Sequence, residues 1–302
     1  MKQVSLLFLA SALFISNSST AQMNFNGELA KVNLEDLQGG IADFSKAIAL
    51  NAKDTFAYFN RGYSKFKLDD YKGAIADYSK AIDLNPSLSY ALFCRGNAKS
   101  MLEDFRGAIA DFNKAIELNP NNELSYFRRG HVKVQLEDYQ GAIIDFNTGI
   151  ALDPNDDIAY FNRGYSKFKI DDYRGAIADY SKAIELNPSL PAANCNRGYA
   201  KVQLEDYRGA MEDFSNAIEL DSKDTLAYNN RGFTKYKLED FYGAVKDYNK
   251  AIELNASYAK AYFYRGLVKI ILNQKDIGCL DLSKAGELGF ENAYEMIKKL
   301  CK

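Results

Sequence analysis

Residue types that build common catalytic sites are scarce in this chain. It has no tryptophan and one histidine, His131, so a site in which several histidines hold a metal is excluded, and histidine-based acid–base catalysis would depend on that single residue. No phosphate-binding loop and no GxGxxG, HExxH, CxxC or GxSxG motif is present. The sequence therefore predicts a protein that is not an enzyme and that needs no cofactor and no metal.

The chain also lacks an excess of charge of either sign. Lys and Arg together number 38 and Asp and Glu number 40, which gives a net charge of −2. Binding to nucleic acid needs a basic excess or a basic stripe, so this balance argues against DNA or RNA as the partner.

The one long apolar run lies at the N-terminus. Lys2 precedes a mostly apolar stretch from Val4 to Ile15, and Ser19 and Ala21 provide small residues for cleavage. The run is short for a bilayer span, which favours cleavage over an uncleaved anchor. We expect residues 1–21 to be a signal peptide cleaved near Ala21. The mature chain would then be exported, to the periplasm or out of the cell, with no membrane-spanning segment.

The rest of the chain repeats every 34 residues. The segments Thr55–Leu88 and Asp157–Leu190 differ at only five of 34 positions. We count positions within this unit, so that Thr55 is position 1. The frame predicts a degenerate first repeat over 21–54, seven further repeats over 55–88, 89–122, 123–156, 157–190, 191–224, 225–258 and 259–292, and a capping helix over 293–302. One repeat cannot bury its apolar faces alone, so the repeats must stack.

Each repeat is predicted to form two helices, over about positions 2–14 and 18–31. An Asp at position 16, such as Asp70, suits the N-cap of the second helix. Four of the five prolines fall at position 32, where they end that helix: Pro86, Pro120, Pro154 and Pro188.

The repeat resembles the tetratricopeptide repeat family. In the first full repeat the matching residues are Tyr58, Gly62, Ala74, Tyr78, Ala81 and Pro86. The resemblance covers essentially all of residues 22–302. It implies an all-α fold, a right-handed solenoid of about eight stacked helix–turn–helix repeats with a C-terminal capping helix, and a buried aromatic at position 4.

Two positions depart from the family pattern. Position 7 is Arg and position 11 is Lys in all seven repeats from residue 55 on, while Asp recurs at position 23. Positions 7 and 23 lie at similar heights in an antiparallel helix pair, so we expect Arg to meet Asp, within a repeat or across to the next, with Lys nearby. A structural ion ladder is favoured over a charged ligand stripe, because repetition along a stack is explained by the stacking itself.

The four cysteines fall into two classes. Cys94 and Cys195 lie three repeats apart, too far for a disulfide. If the chain reverses at Gly289–Phe290, Cys279 and Cys301 come level and form a disulfide that closes the C-terminal cap. A Cys-closed end is also familiar from bacterial members of the family. Two separate free thiols remain the alternative.

The resemblance implies that the first helices line a concave groove through positions 2, 5, 9 and 12. Positions 5 and 9 are favoured as groove positions, with Asn at position 6 contributing hydrogen bonds, although packing between helices is the alternative for these rings. The candidate partner-binding residues are Phe59, Asn60, Tyr63, Phe93, Phe127, His131, Phe161, Asn162, Tyr165, Tyr199, Asn230 and Phe233.

A row of rings and amides suits an extended peptide, because rings hold side chains and Asn bonds the ligand backbone. We therefore expect a non-catalytic scaffold or adaptor that binds a protein or peptide; homo-oligomer formation stays open. The family's clamp for a C-terminal carboxylate is not supported, since position 5 carries no Lys and Lys260 is the only basic residue at position 2. The alternatives are a carbohydrate-binding or cell-wall-associated module and, opposed by the charge balance, RNA binding.

Overall fold

The computed structural model describes residues 36–302, and over this range the chain forms sixteen α-helices and no strand. The signal peptide expected over 1–21 and the first helix of the degenerate repeat lie outside the described residues. The helices are α1 (Leu37–Leu50), α2 (Thr55–Lys67), α3 (Tyr71–Leu84), α4 (Ser89–Met101), α5 (Phe105–Leu118), α6 (Glu123–Gln135), α7 (Tyr139–Leu152), α8 (Asp157–Lys169), α9 (Tyr173–Leu186), α10 (Pro191–Gln203), α11 (Tyr207–Leu220), α12 (Thr225–Lys237), α13 (Phe241–Leu254), α14 (Ala259–Ile271), α15 (Lys275–Glu287) and α16 (Asn292–Leu300).

The Asp at position 16 sets the start of the second helix in most repeats. The backbone N–H of Gly73 donates a hydrogen bond to Asp70 Oδ1 at 2.9 Å, and equivalent bonds recur down the chain. The residue before the cap, Asp69, has a φ of 60°, which reverses the chain in a short turn. The helices therefore cover positions 1–13 and 17–30, one residue earlier than the sequence predicted.

Small residues bring the two helices of a repeat together. A Cβ added to Gly62 would lie 3.0 Å from Tyr78 and 3.2 Å from Asp77 Cβ, so the pair packs at the distance that glycine permits. Ala74 and Tyr78 are completely buried in the same contact. In most repeats the core is thus a glycine and an alanine against one large ring, whereas in the last repeat Gly266 meets Gly278 and Leu282.

Within the described residues the chain divides into two compact units, 36–107 and 108–302, with the boundary inside α5. In the first unit α1 packs on α2, α2 on α3, and α3 on α4. In the second unit every helix from α6 to α16 packs on the next one along the chain. Successive first helices of the second unit also touch one another, α6 with α8, α8 with α10, α10 with α12 and α12 with α14. Each unit is therefore a stack of helical hairpins.

The predicted ion ladder is confirmed, and its ion pairs form within single repeats. Arg163 donates to both carboxylate oxygens of Asp179 at 2.9 and 2.6 Å, and Lys167 Nζ lies 2.8 Å from Asp179. Asp179 is buried whereas the side chains of its two cations are partly exposed. The Arg and Lys pair holds the same Asp in five other repeats, around Asp77, Asp145, Asp213, Asp247 and Asp281.

The same arginines also join neighbouring repeats, which the sequence analysis missed. Arg163 Nη1 donates to Asn147 Oδ1, 2.8 Å away on the preceding repeat. The acceptor at this position 25 is a Ser or Asn in every repeat, so the pattern was present in the sequence. Equivalent bonds run from Arg61 to Ser45, Arg95 to Ser79, Arg129 to Asn113, Arg197 to Ser181, Arg231 to Ser215 and Arg265 to Asn249.

The C-terminal helix α16 closes the second unit. Its Ala293 is completely buried, and Phe290 packs on Phe263 with ring centroids 4.7 Å apart. Cys279 and Cys301 form a disulfide with their Cα atoms 5.8 Å apart. The chain reverses at Gly289, whose φ of 87° is one that glycine accepts without strain. Cys94 and Cys195 are free and buried.

Candidate functional site

The structure contradicts the expected exposure of position 5. Phe59, Phe127 and Phe161 are only 3%, 9% and 8% exposed, and Phe93 is also buried. Phe59 and Phe161 pack on the second helix of their own repeats, with ring centroids 5.6 Å from Tyr78 and 5.7 Å from Tyr180. These four phenylalanines belong to the core, and their rings are not free to receive a partner.

Of the two adjacent aromatic residues at positions 4 and 5, the more exposed one is at position 4, which the family pattern had placed in the core. Tyr160 is half-buried, with the guanidinium carbon of Arg163 5.3 Å from its ring centroid. Positions 4 and 7 lie one turn apart on the helix, so the arginine at position 7 stacks on the tyrosine at position 4. The aromatic residue at position 5 then packs in the core. The same stacking joins Arg61 to Tyr58, Arg129 to Tyr126, Arg231 to Tyr228 and Arg265 to Tyr262.

The asparagines at position 6 differ in whether their side-chain amides are accessible to a ligand. Asn60 is completely buried, and its Nδ2 donates to the carbonyl of Phe56 at 2.9 Å, so it presents no donor to a ligand. Asn162 and Asn230 are half-buried. Asn230 accepts a hydrogen bond from Asn229 Nδ2 at 3.3 Å, and its side chain also lies within hydrogen-bonding reach of the Cys195 thiol. Two of the three predicted amides are therefore accessible.

Position 9 is accessible, as the sequence analysis expected. In the second unit it provides one side chain from each of four consecutive first helices: His131, Tyr165, Tyr199 and Phe233, which we call the position-9 row. Tyr199 is 44% exposed and the other three are half-buried. In the first unit Tyr63 holds the equivalent place and is also half-buried.

Lysines at position 13 accompany the position-9 rings, a feature that the sequence analysis did not single out. Lys169 Nζ lies 5.9 Å from the ring centroid of Tyr165 and 5.4 Å from that of Tyr139. Lys237 bridges Phe233 and Tyr207 in the same way, at 5.7 and 6.0 Å. The pattern can be seen in the sequence, because three of the four repeats with Tyr or Phe at position 9 have Lys four residues later.

His131 sits in a charged part of the position-9 row. Its imidazole has its pKa lowered to about 4, first by burial and then by the positive charge of Arg128. Arg128 in turn faces the negative charge of Asp156, which offsets part of the cost of burying the guanidinium. His131 is therefore neutral near pH 7.

No group of three or more His, Cys, Asp or Glu in residues 36–302 could hold a metal ion. Burial raises the pKa of the Cys94 thiol to about 12, so this cysteine is a poor nucleophile. No helix within the same range is long and apolar enough to cross a membrane.

Comparison with known families places these features in context. One family model, described as the tetratricopeptide repeat, matches residues 55–88, 89–122, 158–190 and 225–258. A second, described as the TPR repeat, matches 130–171 and 198–239. No curated protein matches the chain.

Solved structures resemble the chain over its repeats. "YrrB: a TPR protein with an unusual peptide-binding site" is 27% identical, with a TM-score of 0.56 over 61% of this chain and 95% of that one. MamA is also 27% identical, with a TM-score of 0.53 over 55% of this chain and 96% of that one. A tetratricopeptide repeat protein from Parabacteroides merdae, 20% identical, covers 82% of this chain and 99% of its own, with a TM-score of 0.59.

Proposed function

The chain belongs to the tetratricopeptide repeat family, and from that membership we propose that it is a non-catalytic scaffold whose position-9 row binds an extended segment of a partner protein. The observation that carries the proposal is the run of accessible side chains from four consecutive first helices, His131, Tyr165, Tyr199 and Phe233. A compact ligand would touch one or two of them, whereas an extended chain can touch all four.

The chemistry of this surface suits a peptide. Flat rings bury large apolar area at small cost in side-chain entropy, and a half-buried amide such as Asn162 can bond a peptide backbone. The likeness to YrrB, whose solved structure is described as having a peptide-binding site, supports the same class of ligand.

A peptide array tests this proposal against its main alternative. Residues 22–302 should bind a subset of immobilised twelve-residue peptides, and a glycan array exposed to the same protein should stay empty. Binding to glycans with no peptide binding would make the protein a carbohydrate-binding module instead.

We also propose that the scaffold works outside the cytoplasm. The N-terminal pattern around Val4–Ile15 and Ala21 supports export, and the Cys279–Cys301 disulfide suits an oxidising compartment. Mass spectrometry of the protein recovered from the producing cells should find Gln22 as the N-terminal residue. A full-length chain that stays in the cytoplasm would refute export without touching the binding proposal.

A further inference from the structure

Two lysines at position 13 lie beside the position-9 row, and each contacts aromatic rings of two neighbouring repeats. Lys169 Nζ lies 5.9 Å from the ring centroid of Tyr165 in its own repeat and 5.4 Å from that of Tyr139 in the preceding repeat. The two rings meet edge to face with their centroids 6.3 Å apart, so the ammonium and the rings form a compact triangle. These contacts restrict where a flexible side chain places its charge.

The same arrangement recurs two repeats further along the chain. Lys237 Nζ lies 5.7 Å from the ring centroid of Phe233 in its own repeat and 6.0 Å from that of Tyr207 in the preceding repeat. Both lysines are exposed, although the rings that they contact are half-buried. Position 13 of the intervening repeat is Gln203, so the two cations lie on either side of a repeat that has none at this position.

Neither ammonium group has a carboxylate partner within residues 36–302. The lysines at position 11 differ, because Lys167 Nζ lies 2.8 Å from the buried Asp179. The charge of Glu137 acts on Lys169 from beyond ion-pair distance. An aromatic ring attracts a cation but brings no negative charge of its own, so Lys169 and Lys237 keep their charge for a ligand.

The helix stripe that contains the position-9 row is basic. Positions 2, 5, 6, 9, 12 and 13 follow one another mostly at intervals of three and four residues, so they lie along one side of each first helix. In α6, α8, α10, α12 and α14 these positions contain no acidic residue and four basic ones, Arg128, Lys169, Lys237 and Lys260. The whole chain has a net charge of −2, so this stripe has the opposite sign. Charge complementarity therefore favours an acidic ligand.

The spacing of the two lysines suits one extended segment. α8 packs on α10 and α10 packs on α12, so at about 8–10 Å for each packed helix the lysines lie about 16–20 Å apart. An extended chain rises about 3.3 Å per residue, so about five or six residues cover that distance. Tyr199, the most exposed side chain of the position-9 row, lies on α10 between the two lysines.

We propose that Lys169 and Lys237 each bind one acidic side chain, Asp or Glu, of the extended peptide, with the two acids about five or six residues apart. This inference rests on the proposed function and specifies the chemistry of the partner. Each ammonium donates a charge-assisted hydrogen bond to a carboxylate, and the rings that restrict the lysine reduce the entropy lost on binding. The contacts use side chains within the peptide, so they differ from recognition of a C-terminal carboxylate.

The test uses soluble peptides chosen from the array, acetylated at the N-terminus and amidated at the C-terminus. Peptides that bind residues 22–302 should be enriched in Asp and Glu at a separation of about five or six residues. Replacing either acid by its amide should weaken binding about fivefold in isothermal titration calorimetry. Binding of the acidic peptide should also weaken as the salt concentration rises.

Substitution of the lysines tests the same contacts from the side of the protein. Lys169→Met and Lys237→Met keep a flexible apolar side chain and remove the charge, and each should weaken binding about fivefold. Lys246→Met is the matched control, because Lys246 is exposed on the second helix α13 and forms no ion pair within residues 36–302. This control makes the same change in net charge and should bind the peptide within about twofold of wild type.

A charge exchange separates a direct contact from a structural role. Lys169→Glu should bind the original peptide poorly and should recover affinity for a peptide in which the matching acid is replaced by Lys. A lysine that only joined two repeats would leave both peptides weakly bound in this variant.

The outcomes distinguish the two proposals. Peptide binding that ignores acidic side chains, that prefers basic ones, or that is unchanged in both Lys169→Met and Lys237→Met would overturn the role of the lysines and leave the scaffold proposal standing. The same holds if Lys169→Glu gains nothing from the exchanged peptide. Failure of the wild-type protein to bind any peptide would overturn both proposals.

Discussion

Arg163 binds Asp179 of its own repeat through two hydrogen bonds while its remaining amino group reaches Asn147 of the repeat before it. One side chain thus closes a helical hairpin and attaches it to its neighbour. The guanidinium suits this role because its donors form a rigid fork, which a lysine does not have.

Removing that arginine should destabilise the stack. Arg163→Ala leaves the buried Asp179 with Lys167 alone and should lower the free energy of unfolding by about 3–5 kcal/mol. Urea unfolding followed by circular dichroism measures the change. Arg174→Ala, at an exposed arginine, is the control and should shift stability by less than about 0.5 kcal/mol. Equal effects of the two substitutions would mean that the ladder contributes nothing specific.

His131 should make stability depend on pH. Its folded-state pKa of about 4 lies below the unfolded value of about 6.5, so the unfolded chain binds more protons in this interval. The contribution of His131 to stability is therefore complete above about pH 6.5 and is lost as pH falls towards 4, by up to about 3 kcal/mol. His131→Asn should remove this part of the dependence. Parallel stability-versus-pH curves for the two proteins between pH 4 and 7 would contradict the assignment.

The same glycine substitution should have opposite effects at two places. A Cβ at Gly278 would lie 2.6 Å from the backbone oxygen of Gly266, so Gly278→Ala should destabilise the contact between α14 and α15 by about 1–3 kcal/mol. Gly40 meets nothing closer than Ser64 Oγ at 3.5 Å, so Gly40→Ala should stabilise α1 by about 0.5–1 kcal/mol. Thermal melts of both variants show whether each substitution raises or lowers stability. A gain in stability for Gly278→Ala would refute the close approach of α14 and α15.

The disulfide should leave two thiols for titration. The denatured, unreduced chain should react at two cysteines, Cys94 and Cys195, and the reduced chain at four. Cys301→Ser should cost about 3 kcal/mol, the value for a loop of roughly this length, and should loosen α16 in hydrogen exchange. Four reactive thiols in the exported, unreduced protein would show that the bond does not form.

Most of the fold could be predicted from the 34-residue repeat. Strict recurrence of Arg, Lys and Asp at positions 7, 11 and 23 was enough to predict their pairing, because an antiparallel hairpin sets their heights. The assignment of Phe161 to an exposed face was wrong for a physical reason. Positions 4 and 5 are both aromatic in this repeat, so hydrophobicity does not choose between them, and the choice falls to the arginine that stacks on Tyr160.

The affinity of one array-selected peptide for two tyrosine variants tests the central claim most directly. Tyr199→Ser removes a ring of the position-9 row, whereas Tyr242→Ser removes a ring that is more exposed, at 77%, but lies at position 18 on a second helix. Isothermal titration calorimetry should find binding weakened about tenfold or more by Tyr199→Ser and unchanged by Tyr242→Ser. Equal affinity of wild type and Tyr199→Ser, or a loss confined to Tyr242→Ser, would show that the partner binds elsewhere.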